Sequence, residues 1–471
     1  MKPALAVAAA VLSACSLRAQ APSAGKAPDW GKLRAEILER YRALVKIDTT
    51  SGRETLAVDY LKKALEAEGI ATKTFALDSK RANLVARITG NGSKRPLLIL
   101  AHTDVVGVQR EKWPVDPFGA VIKDGYVWGR GSKDDKPVLA ANLITMLMLK
   151  RLGITLDRDV IFLAESGEEA DLAGVGINFV VREHFADIDA EFAMTEGGGA
   201  TIDAGHVTRV NIGTAEKLPA RARLVASGTA GHGSVPRLDN ALIHLGAAVD
   251  KVGRWETPMR LNATTRVYFE KLAGISSPDR AAVYRALLDP NVNTAAGAQK
   301  FLREHSPGEY SMLRTSVVPT LLKAGVGANV IPSEAEATLD IRALPGEDIG
   351  RFYAEMGKVI ADPAVKVVPL PQTRPPSPAS GIDTEMYRVM ERVARTIYPD
   401  AAVLPSMSTG ASDQAQLRAK GIQSYGIGPA ATESDGLHYP AHGDVERLPE
   451  SSLYPFVQYV WTVVTEIAAH R

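Results

Sequence analysis

Acidic and histidine side chains recur at the ends of apolar, strand-like runs and in polar loops of this sequence. The candidates are His102, Asp104, Asp134, Asp135, Glu168, Glu169, Glu196, His438 and His442. In α/β sheets, ligands bind at the carboxyl ends of the strands, so these side chains could share one site. Imidazoles and carboxylates can hold Zn²⁺ without any thiolate, and a spare carboxylate can act as a general base. The chemistry open to such a set is metal-assisted hydrolysis.

The spacing within two motifs favours this interpretation. In the run LAHTDVV, His102 and Asp104 are two residues apart and point the same way along a strand, so the carboxylate can orient a metal-binding imidazole. Adjacent carboxylates such as Glu168 and Glu169 diverge, so one can hold a metal while the other addresses a water. Taken singly, each motif also suits an ordinary strand end, helix cap or solvated loop.

Composition narrows the class of protein. The chain has 471 residues, of which 45% are hydrophobic, and this fraction is too high for a disordered protein. Its formal net charge of +1 gives no reason to expect a nucleic acid partner. The single cysteine, Cys15, excludes a disulfide scaffold and a cysteine-rich metal site.

The first 28 residues are predicted to be a signal segment and a tether. An unbroken apolar run from Ala4 to Ala14 follows Lys2; it is too short to span a bilayer but has the length of a signal-peptide core. The stretch ending in Cys15 resembles a bacterial lipobox, which predicts a lipid anchor, whereas ordinary cleavage after Ala19 would discard Cys15. Both alternatives predict export, to the periplasm or to the outer membrane of a bacterium.

Strand-like and helix-like runs alternate through the next part of the chain. We predict a helix capped by Asp29 and a second capped by Ser51 and stopped by Gly69. Predicted strands are Asn83–Ile88, Pro96–Ala101, Val121–Trp128, Val160–Ala164 and Glu191–Thr195, with helices at Pro137–Leu152 and Val175–His184. The alternation indicates an α/β fold with a mainly parallel sheet.

A change of pattern near residue 213 predicts an inserted domain. Strands at Ala220–Ser227 and Ala335–Ala343 and a helix at Asn240–Val252 are expected there, while 253–325 shows no clear pattern. A Pro-rich stretch within 364–379 looks like a linker, and a helix at Thr384–Ile397 follows it. We therefore expect a catalytic domain of residues 29–213 and 380–471, interrupted by an α+β lid and dimerisation domain at 214–379.

Nine ordered motifs make the interpretation specific. They are LAHTDVV, GRGSKDDK, ESGEEA, TEGG, GHGSVP, ANVIP, LDIRALP, STGASD and AHGDVERL. In this order they resemble the co-catalytic dizinc peptidases that include aminoacylases, glutamate carboxypeptidase and succinyl-diaminopimelate desuccinylase, and within them the carboxypeptidase-S-like branch. The resemblance runs from about residue 98 to 448, nearly the whole chain after the tether.

The resemblance implies a two-metal site and a role for each of its residues. The implied ligands of two Zn²⁺ ions, which Co²⁺ or Mn²⁺ could replace, are His102, Asp134, Glu169, Glu196 and His442. Asp134 would bridge the ions, Asp104 would orient His102, and Glu168 would be the general base. The family's His-x3-Glu pattern fits His442 and Glu446, so His438 is treated as a neighbour.

The same resemblance implies substrate contacts from the insert. His232 matches a histidine that reaches the reaction centre, often from the partner of a dimer, although Gly233 replaces the usual serine after it. Asn329 and Arg342 match residues that bind the substrate carboxylate, and Gly410 matches a loop near that carboxylate. The implied consequences are a homodimer through the insert and closure of the insert during turnover.

The predicted activity is hydrolysis of an amide bond next to a free carboxylate, by a carboxypeptidase or dipeptidase. The alternative is an N-acyl-amino-acid amidohydrolase, because the chemistry is the same and variable loops decide the substrate. A metal-free binding protein on the same scaffold is a third possibility. A TIM-barrel amidohydrolase would show His-x-His after its first strand, and a serine hydrolase would show Gly-x-Ser-x-Gly; the chain has neither.

Overall fold

The computed structural model describes residues 27–169 and 174–470. The predicted export segment, including Cys15, lies almost entirely in residues 1–26 and therefore outside the described residues. Within the two described stretches, no helix is both long enough and apolar enough to cross a membrane.

Helices cover both faces of the main sheet and much of the middle of the chain. In chain order they are α1 Trp30–Lys46, α2 Thr55–Ala67, α3 Lys136–Leu152, α4 Gly176–Glu183, α5 Phe185–Ile188, α6 Ala241–Gly253, α7 Ala263–Ile275, α8 Pro278–Leu288, α9 Val292–His305, α10 Pro307–Ser311, α11 Ile349–Ile360, α12 Glu385–Ile397, α13 Gln414–Ala419, α14 Glu433–His438 and α15 Glu450–Ala468. As predicted, Asp29 caps α1 by accepting from the Lys32 amide at 3.2 Å. The prediction that Ser51 caps α2 is wrong, because its hydroxyl instead accepts from Arg81.

The strands fall into two large sheets and two small ones. In chain order they are β1 Thr72–Phe75, β2 Asn83–Ile88, β3 Leu97–His102, β4 Val121–Lys123, β5 Tyr126–Trp128, β6 Val160–Glu165, β7 Phe192–Thr195, β8 Gly199–Asp203, β9 His206–Glu216, β10 Leu218–Pro219, β11 Ala222–Ser227, β12 Gly231–His232, β13 Ser316–Ala324, β14 Val330–Ile331, β15 Glu334–Ala343, β16 Val365–Pro369, β17 Ala402–Ser408, β18 Gln423–Gly426, β19 Ala430–Thr432 and β20 Arg447–Pro449. The run predicted as one strand over Val121–Trp128 is a hairpin, since Asp124 and Gly125 both have positive φ and turn the chain.

The larger sheet confirms the predicted α/β fold with a mainly parallel centre. Its strand order is β1-β2-β6-β3-β7-β18-β9-β8-β19, with β17 also paired to β9. The central strands β6, β3, β7 and β18 are parallel neighbours, so their carboxyl ends meet at one edge. Every residue of β3 and β6 is buried, as expected for strands covered on both faces.

One helix lies in the interior of this layer. Every residue of α3 from Lys136 to Leu149 is buried, and an apolar surface all round is typical of a helix packed on every side. It packs between the sheet and the helices α1 and α15. The start of α3, which directly follows Asp134 and Asp135, is therefore fixed in place beside the carboxyl edge of the sheet.

A second sheet is built from the chain between Leu218 and Pro369. It is antiparallel, in the order β10-β15-β11-β16, with β13 also paired to β15. Alternate residues of β15 face inward, and its inner side packs against α6 and α11. β13 lies at the edge and exposes 67% of Leu321 and 70% of Leu322.

The region without a clear sequence pattern, 253–325, is largely helical. Helices α7 to α10 form one apolar cluster together with Leu404 and Met407 of β17. These helices therefore pack against an edge of the larger sheet, and α7 and β17 share their contact surface. These helices show no clear pattern in the sequence because their apolar residues pack partly against β17, a strand distant in sequence.

Candidate metal centre and active site

The carboxyl ends of adjacent parallel strands bring the first candidate residues together. His102 is the last residue of β3, and Glu196 directly follows β7, which pairs with β3 in parallel. The His102 Nε2 atom lies 3.9 Å from Glu196 Oε2. The loop before α3 brings in Asp134, whose Oδ1 lies 3.0 Å from the same nitrogen.

A second group forms around the other oxygen of Asp134. His442 Nε2 lies 3.3 Å from Asp134 Oδ2 and 2.8 Å from Glu169 Oε1. Two trios therefore share Asp134: His102, Asp134 and Glu196 form one, and Asp134, Glu169 and His442 form the other. In each trio the donor atoms lie within 4.8 Å of one another.

The composition of the trios fits divalent cations. Imidazole nitrogens and carboxylate oxygens are typical ligands of Zn²⁺ and related metals. Burial and then the charge of Asp134 raise the pKa of Glu196 well above its ordinary range, so these carboxylates repel one another unless a cation lies between them. A metal ion in each trio would remove that repulsion.

Asp104 organises both sides of the site. It is 1% exposed, and its carboxylate accepts from the backbone amides of Gly167, Glu168 and Glu169 at 3.0–3.2 Å. The His102 Nδ1 atom is 3.0 Å from the Asp104 carbonyl oxygen and 3.5 Å from its Oδ1. The closer acceptor for His102 is therefore the carbonyl of Asp104, while the carboxylate of Asp104 fixes the loop that carries Glu168 and Glu169.

Glu446 holds the loop that presents Asp134. This side chain is 1% exposed and accepts from Arg130 Nη1 at 2.9 Å and from the amides of Gly131, Lys133 and Asp134 at 2.5–3.2 Å. Because several groups donate hydrogen bonds to this one buried carboxylate, Glu446 fixes the loop that presents Asp134 relative to the segment that follows His442. The peptide bond between Asp134 and Asp135 is cis.

Two further contacts tie this loop to the rest of the domain. The Tyr41 hydroxyl of α1 donates to the Ser132 carbonyl at 2.7 Å, and both groups are buried. The Lys136 ammonium donates to the Thr49 hydroxyl and to the Thr103 carbonyl, each at 2.7 Å. Lys136 therefore links the start of α3 to the residue that follows His102.

The loop that carries His442 is fixed by an arginine between two aromatic rings. The Arg447 guanidinium lies 3.8 Å from the ring centres of both Tyr126 and Tyr439, and it donates to Asp435 at 2.7 Å. His442 itself has a φ of +64°, a conformation that residues with a side chain adopt rarely. These contacts support the turn that aims His442 at Asp134 and Glu169.

The predicted base, Glu168, contacts an arginine that sequence reasoning missed. Arg374 donates through Nη2 to Glu168 Oε1 at 2.5 Å and through Nη1 to Asp413 Oδ1 at 3.0 Å. Burial, followed by the charge of Asp413, raises the pKa of Glu168 to about 8, and Arg374 opposes that rise. Arg374 comes from the Pro-rich stretch predicted as a linker, where a lone arginine among prolines was the only signal.

The predicted substrate residues come from three places: the small sheet formed by β12 and β14, strand β15 of the second sheet, and the loop after β17. His232 of β12 is exposed and hydrogen-bonds the Ser234 hydroxyl at 2.7 Å, and Asn329 packs against Gly233. Arg342 of β15 donates to Asp340, and the Gly410 amide donates to the Ser408 hydroxyl. His232 and Asn329 are thus neighbours on one strand pair, and their roles remain predictions.

Comparisons with known proteins cover nearly the whole described chain. Residues 98–466 match the model of Peptidase family M20/M25/M40. The chain is 26% identical over 381 residues to a probable carboxypeptidase S-like 2 of Dictyostelium discoideum, across 79% of this chain and 72% of that protein. It is also 26% identical over 454 residues to the N-fatty-acyl-amino acid synthase/hydrolase PM20D1 of Xenopus tropicalis, across 91% and 85% of the two chains.

A solved structure has the same fold. The M20 family metallo-carboxypeptidase Sso-CP2 of Sulfolobus solfataricus superposes with a TM-score of 0.65 at 20% identity, over 91% of this chain and 98% of that chain. The family match spans every candidate ligand from His102 to His442.

Proposed function

Because this chain belongs to Peptidase family M20/M25/M40 and is a metallopeptidase or amidohydrolase, we propose that it hydrolyses an amide bond next to a free carboxylate, as a carboxypeptidase or dipeptidase. The observation that carries the proposal is the pair of trios that share Asp134. One carboxylate common to two candidate cation positions would keep the two ions close together, as in two-metal hydrolysis.

We propose two Zn²⁺ ions, one held by His102, Asp134 and Glu196 and the other by Asp134, Glu169 and His442. When bound, such ions supply Lewis-acid polarisation and lower the pKa of water. The proposed ligand set consists of three carboxylates and two neutral imidazoles. The Glu168 carboxylate is not part of this set, so it is available to act as a base. Co²⁺ and Mn²⁺ suit the same donor atoms.

Glu168 moves the proton in the proposed reaction. Its carboxylate accepts a proton from the attacking water and then donates that proton to the nitrogen of the leaving amine. The products are a carboxylate and a free amine. A carboxyl group with a pKa near neutrality suits both transfers, and the opposed effects of burial, Asp413 and Arg374 adjust the pKa of Glu168 toward that range.

We propose that Arg342, Asn329 and Gly410 bind the substrate carboxylate and that His232 stabilises the reacting carbonyl oxygen. A guanidinium matches a carboxylate because it can donate two parallel hydrogen bonds. His232, Asn329 and Arg342 come from the part predicted as the insert, 214–379, whereas Glu168 lies in the loop after β6 of the first sheet. We propose that the insert closes over the metal centre during turnover.

A second candidate is hydrolysis of N-acyl amino acids. It is favoured by the similarity, over 91% of this chain, to a protein named as an N-fatty-acyl-amino acid synthase/hydrolase. The test is a panel of dipeptides and N-acyl amino acids, assayed on the mature protein loaded with Zn²⁺, Co²⁺ or Mn²⁺. Faster hydrolysis of dipeptides supports the first candidate, faster hydrolysis of N-acyl amino acids supports the second, and no hydrolysis of either contradicts both.

We propose a homodimer formed through the second sheet. The support is the edge strand β13, where Leu321 and Leu322 expose most of their surface and backbone groups are open to pairing. Light scattering on the purified protein should give twice the chain mass, and Leu321→Lys should reduce it to one chain. A monomer in the unmodified protein would contradict the dimer.

We also propose that the protein is exported and anchored through a lipid on Cys15, in the periplasm or at the outer membrane. The support is the apolar run before Cys15 and the lipobox-like sequence around it. Labelling with palmitate and fractionation test this: Cys15→Ser should abolish the label and release the protein from the membrane fraction. Unchanged membrane retention would contradict the anchor.

A further inference from the structure

A cavity of about 650 Å³ lies within the helical cluster α7 to α10. Its walls come from the segment that leads into α7, from the end of α8, from α9 and from Arg314, which follows α10. None of the proposed metal ligands or substrate-binding residues, all of which the structure describes, lines this cavity. Its size falls in the range of pockets that bind small molecules. The cavity is therefore separate from the metal centre.

Two arginines without an ionic partner line the cavity. The side chain of Arg314 is 5% exposed, and its Nε atom is buried with no hydrogen-bond partner. Its Nη2 atom donates to Gln299 Oε1, and its guanidinium lies 4.2 Å from the centre of the Tyr310 ring. Arg266 of α7 is exposed at the same cavity, and neither arginine is ion-paired within the part of the chain that the structure describes. An amide and an aromatic ring hold Arg314 in place without neutralising its charge.

The two acidic residues of the wall already have other partners. Glu256 forms an ion pair with Arg303, and Asp289 accepts from the backbone amide of Asn291 at 2.8 Å. Burial lowers the pKa of Arg314, and the attraction of Glu256 is opposed by the charge of Arg303. A buried charge is costly unless it is paired, because it has lost its water. An anion in the cavity would supply the missing partner.

Much of the remaining wall is hydrocarbon. The apolar lining residues are Met259, Leu261, Leu287, Leu288 and Ala295, together with two prolines. A ligand whose anionic group met the two arginines could place an apolar body against these side chains. Burial of that body would gain the free energy of apolar transfer. The cavity therefore combines positive charge with hydrocarbon, and a suitable ligand must match both.

We propose that this cavity binds an anionic amphiphile, with its carboxylate against Arg314 and Arg266 and its hydrocarbon or aromatic body against the leucines of the wall. A guanidinium suits a carboxylate because it can donate two parallel hydrogen bonds. This site is additional to the metal centre, and its ligand binds whether or not the ligand is hydrolysed there.

The test is titration calorimetry on the metal-loaded protein with three probes. Decanoate has both the anionic group and the apolar body, decanol has only the body, and acetate has only the anionic group. Decanoate should bind, and decanol and acetate should each bind at least about tenfold more weakly. Failure of decanoate to bind, or equal binding of decanoate and either of the other probes, overturns the proposal.

Variants locate the bound decanoate. Arg266→Gln, which changes an exposed residue and leaves the packing around Arg314 intact, should weaken decanoate binding about tenfold. Leu288→Trp, which fills part of the cavity, should weaken it as well. The matched control is Lys300→Gln, which removes one positive charge from an exposed position of α9 outside the wall and should leave the affinity unchanged.

A last variant separates this cavity from the proposed active site. Arg342→Gln should leave decanoate binding unchanged, because Arg342 does not line the cavity. Loss of binding in Arg342→Gln with full binding in Arg266→Gln would place decanoate at the proposed active site and overturn the proposal. Equal affinity in the unmodified protein, Arg266→Gln and Leu288→Trp would also overturn it.

Discussion

Arg374 forms a buried ion pair with Glu168, with 2.5 Å between Nη2 and Oε1, although 206 residues separate them in the chain. The side chains of Arg374 and Glu168 are 9% and 10% exposed. Arg374 follows the second sheet along the chain, whereas Glu168 follows β6 of the first. The pair is therefore a direct link between the segment that joins the sheets and the residue proposed to move the proton.

Replacing Arg374 with glutamine should move the acid limb of the pH profile of kcat/KM to higher pH. Arg374 favours the charged form of Glu168, so its loss raises the pKa of that carboxyl further, and a base must be deprotonated to act. Arg374→Lys, which keeps a positive charge, should shift the limb less. A profile that is unchanged in the glutamine variant would mean that Arg374 does not act on the base.

Asp134→Asn should lower the content of both metal ions, because this carboxylate belongs to both trios. Glu196→Gln should affect the ion held with His102 and leave the other in place. Elemental analysis after dialysis against limiting Zn²⁺ measures the difference. Equal metal content in the two variants would contradict a shared role for Asp134.

Glu168→Gln should lower kcat about 10²–10⁴-fold, the usual contribution of a positioned general base. Metal content should stay at the level of the unmodified protein, because Glu168 belongs to neither trio. Single-turnover assays and metal analysis on the same sample distinguish a slower chemical step from a loss of metal. Normal activity with both ions bound would contradict the assignment.

Glu446→Ala should destabilise the protein by about 3–5 kcal/mol, because Arg130 would remain buried without its carboxylate partner. Metal affinity should fall as well, since the loop bearing Asp134 loses several hydrogen bonds. The matched control is Glu433→Ala, which removes an ion pair with Arg209. Because the side chain of Glu433 is 74% exposed, this change should lower the free energy of unfolding by at most about 1 kcal/mol. Urea unfolding measures the loss of stability in each variant. Equal losses in the two variants would contradict the role given to Glu446.

His244 should make the stability of the second sheet depend on pH. Its Nδ1 lies 2.7 Å from Asp362 Oδ2, and this hydrogen bond, with a weaker contribution from Asp239, raises the pKa of His244 above its ordinary value. The stabilisation is therefore complete below the pKa of an unfolded histidine and is lost as the pH rises through the higher folded pKa. His244→Gln should lose stability at about pH 5.5 and differ little at about pH 9 in urea unfolding. A constant difference at all pH values would contradict this.

The first part of the fold was largely predictable from the sequence because its signals are local. Apolar runs such as Asn83–Ile88 gave strand bounds to within a residue. His102, Glu169 and Glu196 lie together because parallel strands place their carboxyl ends on one edge, whereas Asp134 and His442 come from loops that meet this edge.

The parts that were missed depend on contacts distant in sequence. Helices α7 to α10 bury their apolar residues partly against β17, so no single amphipathic pattern marks them. The only local signal for Arg374 was a lone arginine among prolines, because its contacts arise only when the Pro-rich segment crosses beside Glu168 and Asp413.

The order of the ligands along the chain constrains how the protein is made. A chain stopped by the ribosome before residue 442 already contains His102, Asp134 and Glu196, but the second trio is incomplete. The helix α15, whose buried side contacts α3 and α12, is also still missing at that stage. The second trio can therefore form only after residue 442 has been synthesised, well after the three residues of the first trio.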